Sequence, residues 1–119
     1  MLTVEDLKSY GANVDEGVAR CAGKEELYLR LVQKVLDDEG FDILAETILE
    51  RDYDKAFDIA HRLKGAVSNL SLTPMTIPIE GLTESLRARE ERDYSQDVKA
   101  LREAKRQLEQ LINTNERVF

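Results

Sequence analysis

Hydrophobic residues recur at intervals of three and four positions along almost the whole chain, which is the period of an amphipathic helix. No stretch alternates between polar and apolar residues for long enough to indicate a strand. We therefore expect an all-α fold. The stripes predict helices over about residues 24–39, 42–51 and 52–72, another that starts near residue 73, and a last one over about 95–113.

Residues that favour helix ends define these boundaries more closely. Side chains that accept a hydrogen bond from the first helical turn predict N-caps at Thr3, Asp15, Asp52, Thr73 and Asp93, the last in a capping box with Gln96. Glycine readily adopts the left-handed conformation that ends a helix, which predicts ends near Gly11, Gly23 and Gly40. Pro74 suits a first helical turn, whereas Pro78 should kink or delay the first turns of the same helix.

The chain has 119 residues, long enough for one hydrophobic core and too short for two. We expect a single domain over residues 1–119, in which residues 24–113 form an antiparallel four-helix bundle with short connections. Residues 1–22 would add one or two short helices that cap the bundle. The helix over 42–51 should turn four residues toward the core, namely Leu44, Ala45, Ile48 and Leu49.

Charge and cysteine content exclude several classes of protein. Lys and Arg number 17 and Asp and Glu number 24, and the net charge of −7 argues against a nucleic-acid partner. Cys21 is the single cysteine, so no intrachain disulfide can form, and we expect a cytoplasmic protein. One histidine and one cysteine are too few for a zinc or haem site. The acidic N-terminus does not resemble a signal peptide, and the longest uncharged run, 65–79, is too short to span a membrane.

His61, the only histidine, lies in the middle of the helix predicted over residues 52–72. Its neighbours at helical spacing are polar or lack a side chain: Asp54, Asp58, Lys64, Gly65 and Ser68. The apolar stripe of this helix, which includes Ile59, Leu63 and Val67, is centred roughly on the opposite side. The imidazole should therefore face solvent, and its place in the middle of a helix should hold it in a defined position.

A neutral imidazole nitrogen is a nucleophile, and the residues around His61 favour phosphoryl chemistry over hydrolysis. No Ser-His or Cys-His pairing with an orienting carboxylate can be identified in the sequence. Lys64 lies one helical turn away and can neutralise the oxygens of a phosphoryl group on His61. Gly65 leaves the flank of the ring open, although glycine inside a helix costs about 1 kcal/mol relative to alanine.

The segment Ala60-His61-Arg62-Leu63-Lys64-Gly65, with Asn69-Leu70 downstream, resembles the signature of histidine-containing phosphotransfer (HPt) domains of two-component phosphorelays. The resemblance covers most of the chain, including the Leu-Thr-Pro connection at residues 72–74. It implies that His61 accepts a phosphoryl group from a receiver aspartyl phosphate and passes it to another receiver aspartate. It further implies that Lys64 stabilises charge and that Gly65 provides clearance. Ser68 and Ser71 depart from the small residue or glycine that family members often have.

The partners that the resemblance implies are receiver domains of response regulators, and a hybrid sensor histidine kinase is a further candidate. Receivers supply the Mg²⁺ and the aspartate, so we expect no cofactor on this chain, which would be a stoichiometric carrier without kinase or hydrolase activity. The narrow apolar stripes favour a monomer. We expect the partner to dock on the face around His61, where Ser68, Gln33 and Lys34 are further candidates to line the site.

Two functions from other classes remain open. The first is a helical adaptor of the same fold that binds signalling partners and whose histidine is never phosphorylated. The second is a metal-binding bundle lined by carboxylates, which would require acidic residues on the inward faces of the helices. The apolar stripes argue against the second.

Overall fold

The computed structural model describes residues 1–116 and is all-helical over that range, as predicted. Each helix carries one apolar side, and these sides meet in a common core. No described helix is long and apolar enough to cross a membrane. In chain order the helices are α1 (Val4–Tyr10), α2 (Val14–Arg20), α3 (Glu25–Leu36), α4 (Gly40–Leu49), α5 (Tyr53–Asn69), α6 (Thr73–Arg87) and α7 (Ser95–Glu116).

Helix α5 is central to the packing. It lies along α6 and α4, and it also touches α3, while α6 packs against α7 and α1 packs against α7. The fully buried residues of α5 are Ala56, Ala60, Leu63 and Val67. Because these residues recur every three or four positions, they place one side of α5 in the core and leave the opposite side free.

The short N-terminal helices attach to this core through specific contacts. The Tyr28 ring of α3 is fully buried, and its hydroxyl donates to the Leu70 carbonyl oxygen at 2.8 Å, just beyond the end of α5. Burial raises the pKa of this hydroxyl to about 12. Gly17 of α2 lies against the same ring, and a Cβ atom there would be 2.4 Å from a ring carbon. Only glycine lets α2 approach Tyr28 this closely.

The expected N-caps at Thr3 and Asp52 are confirmed, and the one at Asp15 is wrong. Thr3 forms a capping box with Asp6, and Asp52 accepts a hydrogen bond from the backbone N–H of Lys55. Helix α2, however, is capped by Asn13 and not by Asp15, which lies within its first turn. Asp15 keeps a favourable place there, since a carboxylate interacts well with the positive end of the helix dipole.

The expected ends of the long helices need correction. Gly40 does not end the first long helix; α3 ends at Leu36, and Gly40 is the first residue of α4. Helix α5 ends at Asn69, earlier than predicted, because Ser71 adopts a left-handed conformation with φ of 54°. Ser71 is buried and its hydroxyl donates to Glu16 of α2 at 3.0 Å, a contact that fixes the unusual conformation.

The expected starts of the last two helices also differ in detail. Leu72, and not Thr73, is the N-cap of α6, and α6 continues through Pro78 without the expected delay. Asp93 accepts hydrogen bonds from the N–H and the hydroxyl of Ser95, and none from Gln96 among the described contacts.

The inward face of α4 is confirmed in part. Leu44, Ala45 and Ile48 are buried, but Leu49 is 84% exposed. Leu49 is the last residue of α4, so the helix ends before neighbouring elements can cover it.

Candidate functional site

His61 lies at the centre of α5 and its side chain is exposed, as the helical spacing predicts. The adjacent Ala60 and the nearby Leu63 are fully buried, so the helix that carries the imidazole is fixed to the core on its other side. A ring held in this way is open to solvent and has a defined position.

The His61 ring is stacked on Phe57, the residue one turn earlier in α5. The two ring centroids are 5.6 Å apart and the planes differ by 19°. The Arg87 guanidinium of α6 lies 5.0 Å from the centroid of Phe57, in a cation–π contact. Phe57 thus links the imidazole to α6 and restricts its rotation, because a change of rotamer would lose the stacking.

Two cations of this site share one carboxylate. Glu84 of α6 has one oxygen 4.0 Å from the Lys64 ammonium and the other 3.6 Å from the Arg87 guanidinium. Both distances are longer than a hydrogen bond, and the side chains are partly or largely exposed, so these pairs are weak. Lys64, three positions after His61 on α5, is therefore free to turn toward a stronger anion.

The flank of the imidazole is open at Gly65. A Cβ atom at this position would have nothing within 4 Å apart from its chain neighbours and the backbone of its own helix. Packing within the chain therefore gives no reason for glycine here, although glycine in a helix interior costs about 1 kcal/mol relative to alanine. The absence of a side chain leaves space beside His61 for a molecule that approaches from outside.

Arg62, the residue after His61, binds Asp38 and has no described contact with the residues around the imidazole. Its guanidinium binds both oxygens of Asp38, at 2.6 and 3.1 Å, between α3 and α4. This hydrogen bonding lowers the pKa of the Asp38 carboxyl below its ordinary value, although partial burial opposes the effect. Arg62 thus ties α5 to the start of α4 and is not part of the group around His61.

The other predicted site residues, Ser68, Gln33 and Lys34, have their described contacts elsewhere or none. Ser68 is half-buried, and its carbonyl oxygen accepts a hydrogen bond of 2.6 Å from Arg20 of α2. Gln33 is exposed and donates to Asp37, and Lys34 is exposed on the same helix. No described contact joins Gln33 or Lys34 to His61, and their place in the site stays a prediction.

Comparison with known proteins identifies no relative of this chain. No family model matches the chain, and neither a curated protein nor a solved structure does. The chemistry of the site is therefore inferred from its own residues. These are the exposed imidazole of His61, the Lys64 ammonium one helical turn away, and Gly65, which has no side chain to cover the imidazole.

Three residues of the site were not identified from the sequence. Phe57 lies four positions before His61, so the helical spacing alone could have indicated the stacked pair. Glu84 and Arg87 belong to a different helix, and only the packing of α6 on α5 brings them close. Within the described residues, no group of three or more histidine, cysteine or acidic side chains is arranged to hold a metal ion.

Proposed function

We propose that this protein is a histidine phosphotransfer protein, in which His61 accepts a phosphoryl group from a receiver-domain aspartyl phosphate and passes it to another receiver aspartate. The observation that carries the proposal is the exposed imidazole with the Lys64 ammonium and the open Gly65 position on one side of α5. The resemblance of residues 60–65 to the HPt signature supports the same function.

The transfer forms one bond to phosphorus and breaks another, and the two proteins supply every group that it needs. The lone pair of a neutral His61 ring nitrogen forms the bond to phosphorus, and the bond from phosphorus to the receiver aspartate breaks. The aspartate leaves as a carboxylate with that electron pair, and the positive charge on the ring is relieved by loss of the proton on its other nitrogen. Such a step depends mainly on positioning and on stabilising charge.

The side chains around His61 suit those two requirements. Phe57 limits the rotation of the ring and so aims its nitrogen toward solvent. Lys64 can leave the 4.0 Å contact with Glu84 for a phosphoryl group, which carries more negative charge and offers stronger acceptors. Gly65 gives the phosphoryl donor space to approach.

The proposal also covers the architecture of the protein, its oligomeric state, its location and its partners. We infer an antiparallel four-helix bundle of α4, α5, α6 and α7, supported by the successive packing of α4 on α5, α5 on α6 and α6 on α7. The protein would act as a cytoplasmic monomer, a stoichiometric carrier that needs no cofactor of its own. Its partners would be receiver domains, which bring the Mg²⁺ ion, with a hybrid sensor histidine kinase as an alternative source of the receiver.

The experiment that tests the function measures labelling of His61. A panel of purified receiver domains is phosphorylated with radiolabelled acetyl phosphate and mixed with the protein and with its His61→Gln variant. We expect label on the wild-type chain that is lost in acid and stable in base, as a phosphohistidine requires. The variant should stay unlabelled. Phosphoramidate, which phosphorylates histidine without a receiver, should label the wild-type chain alone.

The possible outcomes separate the proposal from its alternative. Label that persists in His61→Gln, or no transfer from any receiver of the panel, would overturn the carrier function. If receivers bind the wild type and the variant with equal affinity and no label moves, the protein is an adaptor of the same fold.

A further inference from the structure

A groove of about 870 Å³ lies between the second half of α4 and the first half of α7. The connection from α6 to α7 closes one end of it, next to Tyr53 at the start of α5. His61, Lys64 and Gly65 do not line it. Its volume is within the range of pockets that bind small molecules.

The groove exists because α4 and α7 are bridged at one end and separate at the other. Near the start of α4, Asp42 forms an ion pair with Arg102 at 3.1 Å, and the Lys105 ammonium lies 5.5 Å from the centroid of the Phe41 ring. Toward the end of α4, the two helices have no such bridge among the described side chains. The space between them is left open to solvent.

The apolar part of the groove comes from both helices. Ala45, Ile48 and Leu49 contribute from α4, and Val98 contributes from α7. Leu49 is 84% exposed, an unusual state for a large aliphatic side chain, and it is exposed at this groove. The surface could bury the hydrocarbon part of a ligand.

The charged part of the groove is basic, in a protein with a net charge of −7. Five cationic and three acidic side chains line it. Three of the five cations already have carboxylate partners, namely Arg92, Arg102 and Arg106. Arg51 and Lys99 have no ion pair within residues 1–114, and they lie on opposite sides of the groove, after α4 and on α7.

We propose that this groove binds a small amphipathic anion, a molecule with an apolar chain or ring and one carboxylate, sulfonate or phosphate group. The apolar body would lie on Ile48, Leu49 and Val98, and the anionic group would lie between Arg51 and Lys99. Charge complementarity favours an anion, because cations outnumber acidic side chains in the lining by five to three, and Arg51 and Lys99 have no carboxylate partner. Glu91 and Asp93, which also have no ion pair within residues 1–114, lie at the end of the groove formed by the connection from α6 to α7. The proposal is independent of phosphorylation at His61.

Two fluorescent dyes with the same aromatic body test it. Anilinonaphthalene sulfonate carries one negative charge, and phenylnaphthylamine is its uncharged analogue. We expect one equivalent of the sulfonate dye to bind the full chain, with chemical-shift changes centred on Ala45, Tyr94 and Val98. The uncharged dye should bind about tenfold more weakly.

Matched variants separate the contributions of charge and apolar surface. The double variant Arg51→Gln and Lys99→Gln should weaken the sulfonate dye about tenfold and leave the uncharged dye unchanged. Lys24→Gln with Arg30→Gln, which removes two exposed cations elsewhere, should change neither. Leu49→Ser should weaken both dyes, whereas Ile77→Ser, at another exposed aliphatic residue, should weaken neither.

These residues are exposed, so thermal melts should show that all variants fold like the wild type. Equal binding of the two dyes would overturn the proposal. So would an equal loss of sulfonate binding in the control pair Lys24→Gln with Arg30→Gln, or chemical-shift changes centred outside the groove.

Discussion

On two sides of α5 near His61, a cation of α5 lies beside a glycine, Gly40 of α4 on one side and Gly65 of α5 on the other, but the two pairs differ in kind. On the anchored side, Arg62 binds Asp38 through two hydrogen bonds beside Gly40, where a Cβ atom would be 2.4 Å from the guanidinium. On the open side, Lys64 is 4.0 Å from Glu84, and a Cβ atom at Gly65 would contact nothing beyond its chain neighbours and the backbone of α5.

This difference separates residues that contacts inside the protein explain from residues that the proposed phosphotransfer would use. Arg62 and Gly40 are explained by their contacts inside the protein. Lys64 and Gly65 lack such an explanation, and both lie where a phosphoryl group on His61 would need a cation and space. Sequence position alone does not distinguish the two cations, since both are within three residues of the histidine.

The largest expected effect comes from replacing the cation on the open side. Lys64→Ala should slow phosphotransfer to His61 about a hundredfold, the usual cost of losing one group that stabilises developing charge. Lys64→Arg, which keeps the charge, should recover most of the rate. Arg62→Ala should leave the rate within about twofold and lower the free energy of unfolding by about 1 kcal/mol. Single-turnover kinetics and urea unfolding measure the two quantities, and equal rate losses in Lys64→Ala and Arg62→Ala would remove the distinction.

The two glycines should respond to alanine in opposite directions. Gly40→Ala should lower the free energy of unfolding by about 1 kcal/mol, because the new methyl group displaces the Arg62 guanidinium from Asp38. Gly65→Ala should raise it by up to about 1 kcal/mol through helix propensity, and should also slow phosphotransfer by obstructing the donor. In an Arg62→Ala background, part of the cost of Gly40→Ala should disappear and part should remain, because the new Cβ atom would still lie 2.8 Å from Asp38 Oδ1. A destabilising Gly65→Ala would show that this position has a packing role.

The smallest expected effect is a dependence on pH. Because Arg62 lowers the pKa of the Asp38 carboxyl in the folded protein below its ordinary value of 3.8, the ionised pair stabilises the fold above that value. As the pH falls below about 3.8, this contribution is lost. Wild type should thus exceed Asp38→Asn by less than about 1 kcal/mol near neutral pH, and the difference should shrink below pH 4. Urea unfolding across this range measures it, and a difference that grows in acid would contradict the assignment.

The helical stripes predict much of the fold, because burial follows the 3.6-residue period wherever a helix packs along its length. Leu63 and Val67 are buried as expected, Ile59 of the same predicted stripe is only half-buried, and His61 on the opposite side is exposed. Leu49 was predicted wrongly, since periodicity describes a helix and not the place where its neighbours end.

Contacts between helices were beyond prediction from one sequence. Gly40 looks like a helix terminator, yet its role depends on Arg62, which lies 22 positions later and touches it only after α4 packs on α5. The Arg87–Phe57 contact likewise requires α6 to be in place. The stacked pair of Phe57 and His61 needs only one helix, so it was accessible from spacing.

Cys21 has a practical consequence for measuring local opening. Cys21 is 6% exposed, lies at the C-cap of α2 and packs in the hydrophobic core. A thiol reagent can react only when this region opens, so the reaction rate reports the free energy of that opening. Since the chain has no other cysteine, the unmodified protein contains its own reporter for how independently α1 and α2 detach from the helix that carries His61.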